Sequence, residues 1–253
     1  MEIRVLGCYG GEMPGHRTTC LMLDNRLLID AGAVTAALPL KDQAKIEAVV
    51  LSHAHLDHIR DLAFLADNIF GKRDQPVRIY GLPETIAVLR DHVFNAWVWP
   101  DFSKLPKPDD PVISFHELKQ GEPTEIAGFE LTPVRVNHTV EAAGYLIKNG
   151  DRTMIFSGDT GPTRELWERA NQQNALHALF IEVSFPDRLS ELAETTGHLT
   201  PALAAKELEK INHNGFPVYV FHMKPQYLKE ILGELESADS PLKALAQGDR
   251  IQV

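Results

Sequence analysis

Three histidines and an aspartate fall within six positions at His53-Ala54-His55-Leu56-Asp57-His58. Imidazole and carboxylate are the ligand types that suit zinc, manganese and iron, and so many lone pairs in one place are unfavourable unless a cation shares them. The apolar run Ala48-Val49-Val50-Leu51 stands directly in front. If that run is a buried strand, His53 and His55 leave its end on one side at the strand period, and Asp57 and His58 follow at the turn into a helix. One ion would then receive two nitrogens, and a second pair of ligands would face a neighbouring ion.

Other chemistry-bearing residues recur in the same local setting. His138 follows the apolar stretch from Phe129 to Val136, Asp159 sits in the small-residue turn Ser157-Gly158-Asp159-Thr160-Gly161 after Thr153 to Phe156, and His222 closes Val218 to Phe221. Each is a ligand-type residue at a strand end. Glu182 lies inside the apolar run Ala178 to Val183, where a buried carboxylate is costly without a partner. The candidate partner is His198, in Gly197-His198-Leu199-Thr200 before the helix Pro201 to Asn212. His92, His116, His177 and His213 have no second ligand-type neighbour and read as ordinary loop or helix residues, while His16 lies either near the site or simply in a loop.

The elements that must position these residues form an α/β pattern. Short strands are expected at Ile3 to Leu6, Thr19 to Leu23, Leu27 to Asp30, Val77 to Tyr80, Val112 to Leu118, Thr124 to Ile126, Tyr145 to Lys148 and near Arg250 to Val253, besides those already named. Asp24-Asn25-Arg26 and Asn149-Gly150-Asp151 read as hairpin turns. Helices are expected at Val34 to Leu40, Ile59 to Ile69, Pro83 to Val93, Arg164 to Asn174 and Gln226 to Glu236. The glycine-rich turn Gly7-Cys8-Tyr9-Gly10-Gly11 allows close approach to a ligand, but no P-loop lysine follows it. Phe94 to Pro111 has no clean period. Its Trp97, Trp99 and Phe102 fit either a substrate-binding lid that stacks on a nucleobase or a hydrophobic patch used for packing or for a homodimer.

Composition limits the classes of function. Hydrophobic residues make up 44% of the 253 and charged residues 24%, as in an ordinary globular protein. The net charge of -10 argues against a sequence-independent grip on long nucleic acid, while a small anion held by metal ions stays compatible. No apolar run approaches the roughly 18 residues of a membrane span, and the N-terminus lacks a basic segment followed by a long apolar one, so a cytoplasmic location is expected. Cys8 and Cys20 make no disulfide framework and read as free thiols.

Taken together, His53, His55, Asp57, His58, His138, Asp159 and His222 stand in an order and setting that resembles the metallo-β-lactamase fold superfamily over nearly the whole chain. The resemblance implies a four-layer αββα sandwich, with residues 1–253 as a single domain of two similar halves, about 1–128 and 129–253. It implies two divalent metal ions, zinc foremost, with manganese or iron as alternatives. His53, His55 and His138 would hold one, Asp57, His58 and His222 the other, and Asp159 would bridge them. Glu182 and His198 look like the glutamate-histidine pair of the phosphodiesterase branch, shared by tRNA 3′-processing endonucleases and a class of cyclic-nucleotide phosphodiesterases. The acidic charge and the lack of a basic arm depart from the tRNA enzymes. The expected activity is hydrolysis of a small phosphodiester, foremost a 3′,5′-cyclic nucleotide to its 5′-monophosphate. In it, water is activated between the two ions, Asp57 orients it and His198 is the general acid. RNA-end processing and thioester or lactone hydrolysis are the alternatives.

Overall fold

Strands buried on both faces carry continuous apolar runs, and here alternate side chains of each run enter different cores. Leu21, Leu23, Leu27, Ile29, Ala48 and Val50 face a central core shared with Leu131, Tyr145, Ile147, Phe156 and Phe180. Their neighbours Cys20, Met22, Leu28 and Val49 face an outer core built with Leu62, Leu65 and Ile69. A third core on the opposite side joins Leu179 and Ile181 to Leu166, Trp167, Leu203 and Ile231. The result is helices, sheet, sheet, helices: the four-layer αββα sandwich that the sequence resemblance implies.

The computed structural model describes residues 1–237 and 241–253. In the first sheet the strands are β1 (Glu2–Gly7), β2 (Cys20–Leu23), β3 (Leu27–Ile29), β4 (Ala48–Val50), β5 (Val77–Gly81), β8 (Ile113–Glu117) and β16 (Arg250–Gln252), in the order β16-β1-β2-β3-β4-β5-β8. In the second they are β9 (Thr124–Ile126), β10 (Phe129–Arg135), β11 (Ala143–Asn149), β12 (Arg152–Phe156), β13 (Ala178–Glu182), β14 (Val218–Phe221) and β15 (Leu242–Ala244), in sequential order from one edge to the other. A small ribbon pairs β6 (Pro106–Lys107) with β7 (Asp110–Pro111).

Each sheet is antiparallel in one part and parallel in the other. Hairpins join β1 through β3 and β9 through β12. Asp24 and Asn25, with φ of 44° and 58°, make the tight β2–β3 turn. From β3 to β8 and from β12 to β15 the pairing is parallel, which requires crossovers, and these supply the outer helices. They are α1 (Val34–Ala37), α2 (Leu40–Gln43), α3 (Leu56–Ile59), α4 (Asp61–Ile69) and α5 (Pro83–Val88) on the first sheet. On the second they are α6 (Glu165–Asn171), α7 (Ser190–Thr195), α8 (Pro201–Leu208) and α9 (Leu228–Ser237). The loops that carry residues 53–58, Asp159 and His222 leave the carboxyl ends of the parallel strands β4, β12 and β14, the usual place for a site in such sheets, and His138 joins them from the end of the antiparallel β10.

Several expected helices are shorter than their periodicity. Pro39 separates α1 from α2, and a single helix over 59–69 gives way to α3 and α4, with the Asp61 carboxylate turned back onto Thr35 N and Oγ1 at 2.7 and 2.9 Å. Pro83 to Val93 is helical only to Val88 and then widens into a π turn over Leu89–Val93. β15 and the β6–β7 ribbon were not foreseen; both are two- or three-residue strands too short to show a period.

Candidate metal centre

β4 ends at Val50, and the chain then turns through Ser52 into the histidine cluster, so the run of ligands starts inside the core and emerges at its edge. His53 and His58 are fully buried, and His55 and Asp57 are half-buried. His53 Nε2 lies 3.0 Å from His55 Nδ1, which is 3.2 Å from His138 Nε2. On the other side His58 Nε2 and His222 Nε2 are 3.2 Å apart, and Asp57 Oδ2 is 3.2 Å from the latter and 3.7 Å from the former. Asp159 Oδ2 sits between the two groups, 3.0 Å from His222 Nε2, 3.2 Å from His58 Nε2 and 3.9 Å from His53 Nε2. All seven residues read from the sequence as ligands are therefore brought together from both sheets.

The outer nitrogens of four of these rings are tied to acceptors, which fixes where their lone pairs point. His53 Nδ1 donates to Ser52 Oγ at 3.0 Å, His58 Nδ1 to Asp30 Oδ2 at 2.8 Å, His138 Nδ1 to the Gly197 carbonyl at 2.9 Å and His222 Nδ1 to Ser184 Oγ at 2.8 Å. Each Nε2 is left as an acceptor facing other acceptors, an arrangement that repels unless a cation lies between them. Asp159 Oδ1 is buried without a hydrogen-bond partner. This donor set, of imidazole nitrogens, two carboxylates and an orphaned buried oxygen, fits divalent metal ions.

Charge in the site follows the same logic. Burial disfavours a cation on His58, yet Asp159 and Asp30 outweigh it and hold the ring well above the usual imidazole range. Burial would raise Asp159, but His222 and His58 keep it well below the usual carboxylate range. Burial pushes His53, His55 and His138 down. His53, His55 and His138 are thus neutral donors beside an ionised Asp159, and the raised His58 reports the negative field of Asp159 and Asp30 in which a cation would sit.

Beside it lies a second buried cluster. Glu182, at the end of β13, receives His198 Nδ1 on Oε1 at 2.8 Å, Ser184 Oγ on Oε2 at 3.0 Å, and the amides of Thr160 and Leu199 at 3.3 Å each. Burial, followed by the charge of Asp159, raises Glu182 well above its usual range, and burial lowers His198. A raised Glu182 and a lowered His198 bring the proton affinities of the two groups together, so one proton can pass along their 2.8 Å hydrogen bond. The His198 ring lies 5.0 Å from that of His138 and stacks at 5.4 Å on that of His222.

Ser184, Asp30 and Ser52 were not singled out by sequence, because one hydroxyl or one turn aspartate carries no pattern. Two backbone features were equally hidden. Asp30 and His222 adopt φ of 58° and 67°, a conformation that non-glycine residues rarely hold; His222 is fixed there by its amide on the Cys8 carbonyl. Gly10 lies so close to that ring that a Cβ would be 2.7 Å from His222 Nδ1. The glycine-rich turn therefore packs on a candidate ligand. Cys8 contributes its carbonyl and not its thiol: burial raises the thiol to about 12, and Sγ donates to the Leu245 carbonyl at 3.5 Å.

Trp97, Trp99 and Phe102 are not among the residues gathered here. Phe102 is buried in the outer core against Phe70, Trp99 packs on Phe64, and Trp97 is 93% exposed. A cavity of about 130 Å³ beside this excursion is lined by Phe70, Pro106, Pro111 and their neighbours, with no ligand-type histidine. His16 stacks edge-on against Tyr9, and none of His92, His116, His177 and His213 joins a ligand cluster among the described residues. No described helix is long and apolar enough to cross a membrane.

A family model described as a beta-lactamase superfamily domain matches residues 25–223. A probable 3′,5′-cyclic-nucleotide phosphodiesterase of Yersinia pestis is 28% identical, over 94% of this chain and 84% of that protein. Among solved structures, unliganded yeast PDE1 superposes with a TM-score of 0.82 at 21% identity, covering 100% of this chain and 99% of that one. The short form of human tRNase Z gives 0.74 at 18%, with the same coverage.

Proposed function

The chain belongs to the beta-lactamase superfamily, and from that premise we propose that this hydrolase is a metal-dependent phosphodiesterase, cleaving a 3′,5′-cyclic nucleotide to the 5′-monophosphate. The observation that carries the reading is the buried Glu182–His198 pair, 2.8 Å apart and packed against His138 and His222. A hydrolytic centre needs no such pair to break an activated ester. It needs one to protonate an alkoxide. In this reading residues 1–253 act as one unit of two similar halves, about 1–128 and 129–253.

His53, His55 and His138 would hold one divalent ion and Asp57, His58 and His222 another, with Asp159 between them. Bound there, such ions supply charge neutralisation for phosphoryl oxygens and acidify water. The protein's own groups do the rest. The Asp57 carboxylate, its side chain 30% exposed, lies at the open side of the cluster, where it can orient attacking water and accept its proton. His198 delivers the proton shared with Glu182 to the departing sugar oxygen, and Glu182, held by two amides and Ser184, keeps the ring in place. The burial of both groups keeps water from competing for that proton.

Protein loaded separately with zinc, manganese and iron would be assayed on cyclic AMP, cyclic GMP, bis(p-nitrophenyl) phosphate, a tRNA precursor and a thioester. Turnover of a cyclic nucleotide is expected. Turnover of the thioester or of the tRNA precursor, with neither cyclic nucleotide cleaved, would overturn the reading.

A further inference from the structure

Next to the histidine cluster is a cleft of about 390 Å³, within the ~300–1,000 Å³ range of small-molecule sites. Val88 and Thr85 of α5 form one wall, Val140 of the β10–β11 loop forms the other, and His55 closes the end that meets the metal centre. We propose that this cleft is the pocket for the nucleobase of the substrate. The proposal rests on the phosphodiesterase reading.

The walls come from different sheets, and one side chain holds them together. The Glu141 carboxylate takes Arg135 on one oxygen and the Glu84 amide on the other, at 2.9 Å for the latter, so the β10–β11 loop is pinned to the start of α5. The cleft is thus formed before any ligand arrives. Its lining is mostly apolar, with valine methyls on two sides, which suits a flat uncharged ring. No lysine or arginine lines it, Glu84 does, and the Glu141 carboxylate is already engaged by Arg135, so a second phosphate would find no free counter-charge. A substrate whose reacting phosphate sits at the metal centre must place its adjoining group past His55. The adjoining group that matches apolar walls without cations is a base, not a further nucleotide unit. Trp97, Trp99 and Phe102 line no part of the cleft.

The comparison that isolates the base is cyclic AMP against the 3′,5′-cyclic phosphate of methyl riboside, which keeps the sugar and phosphate and carries a methoxy group instead. The ratio of their kcat/KM values is unaffected by the fraction of protein that is folded or metal-loaded. In the wild type the base is expected to be worth about tenfold or more, as for groups of this size in apolar pockets. Val88→Trp and Val140→Trp each fill the cleft from one wall, and each is expected to lower the ratio about tenfold. A fall of threefold or more in either variant supports the pocket. A fall of less than threefold in both overturns it, while the phosphodiesterase reading stands. If the wild type cleaves neither cyclic phosphate, that reading fails and the pocket with it.

Discussion

An alkoxide is a poor leaving group unless it receives a proton as its bond breaks, whereas p-nitrophenolate departs without one. His198 should therefore matter for the first and little for the second. His198→Ala is expected to retain its metal, since the ring is tied through Nδ1 to Glu182 and the seven residues read as ligands are all kept, and to lose about 10²- to 10⁴-fold in kcat on a cyclic nucleotide. On bis(p-nitrophenyl) phosphate the loss should be within roughly tenfold, the low side of that same scale. Steady-state kinetics on both, with elemental analysis of each preparation, decide the matter; equal losses would remove the general-acid role. The candidate ligands were legible because histidine is scarce, 11 of 253 residues, and here recurs with two aspartates at strand ends. Their supports were not. Ser184 matters only because folding places its hydroxyl between His222 and Glu182, and Asp30 only because β3 ends beside His58. Trp97, Trp99 and Phe102 left two readings open, because large aromatic rings on an irregular stretch suit a lid and an outer core equally; Phe102 and Trp99 lie in or against the core and Trp97 is exposed.

Strand ends and the turns after them decide where ligands meet, and one turn can be tested in isolation. Gly197 has φ of +66°, and a Cβ there would lie 2.9 Å from His138 Cα and 3.0 Å from its Nδ1, the atom that donates to the Gly197 carbonyl. Gly215 has φ of +77° with nothing within 4 Å. Alanine at either site bears the left-handed backbone penalty of about 1–2 kcal/mol, but only at Gly197 must the His138 ring also move. Gly215→Ala is expected to keep full metal content; Gly197→Ala is expected to be less stable by at least about 1 kcal/mol more, the scale of forced displacement in a packed site, and to bind less metal. Thermal unfolding with metal analysis reads both, and matched variants would show that the contact with His138 is slack. Apart from β15 and the β6–β7 ribbon, the strands were legible at this scale, since two-sided burial writes itself as apolar runs. Helix ends were not, because what stops them is tertiary: Asp61 turns back onto Thr35, and the π turn at Leu89–Val93 carries no local signal.

At the scale of the molecule the centre joins two sheets. His53, His55, Asp57 and His58 follow a strand of the first, and His138, Asp159 and His222 follow strands of the second. The layered arrangement was foreseen through the family resemblance more than through local pattern, because strand order depends on long-range pairing; β16, for example, crosses back to lie beside β1. Ions shared between the sheets should stabilise the fold as any ligand of the native state does, by about 4 kcal/mol for an ion at a thousand times its dissociation constant. For a chain of this size that corresponds to roughly 8–16 °C in Tm, at about 2–4 °C per kcal/mol. Chelation is expected to lower Tm by that amount and reloading to restore it, measured by calorimetry; a shift under about 2 °C, less than 1 kcal/mol on the same scale, would contradict ions that hold the sheets together. Hydrogen exchange separates a bridge from a one-sided site. Ions bound across the interface protect amides both in 52–58 and in 157–160 on reloading, whereas ions held by the first sheet alone protect only the former.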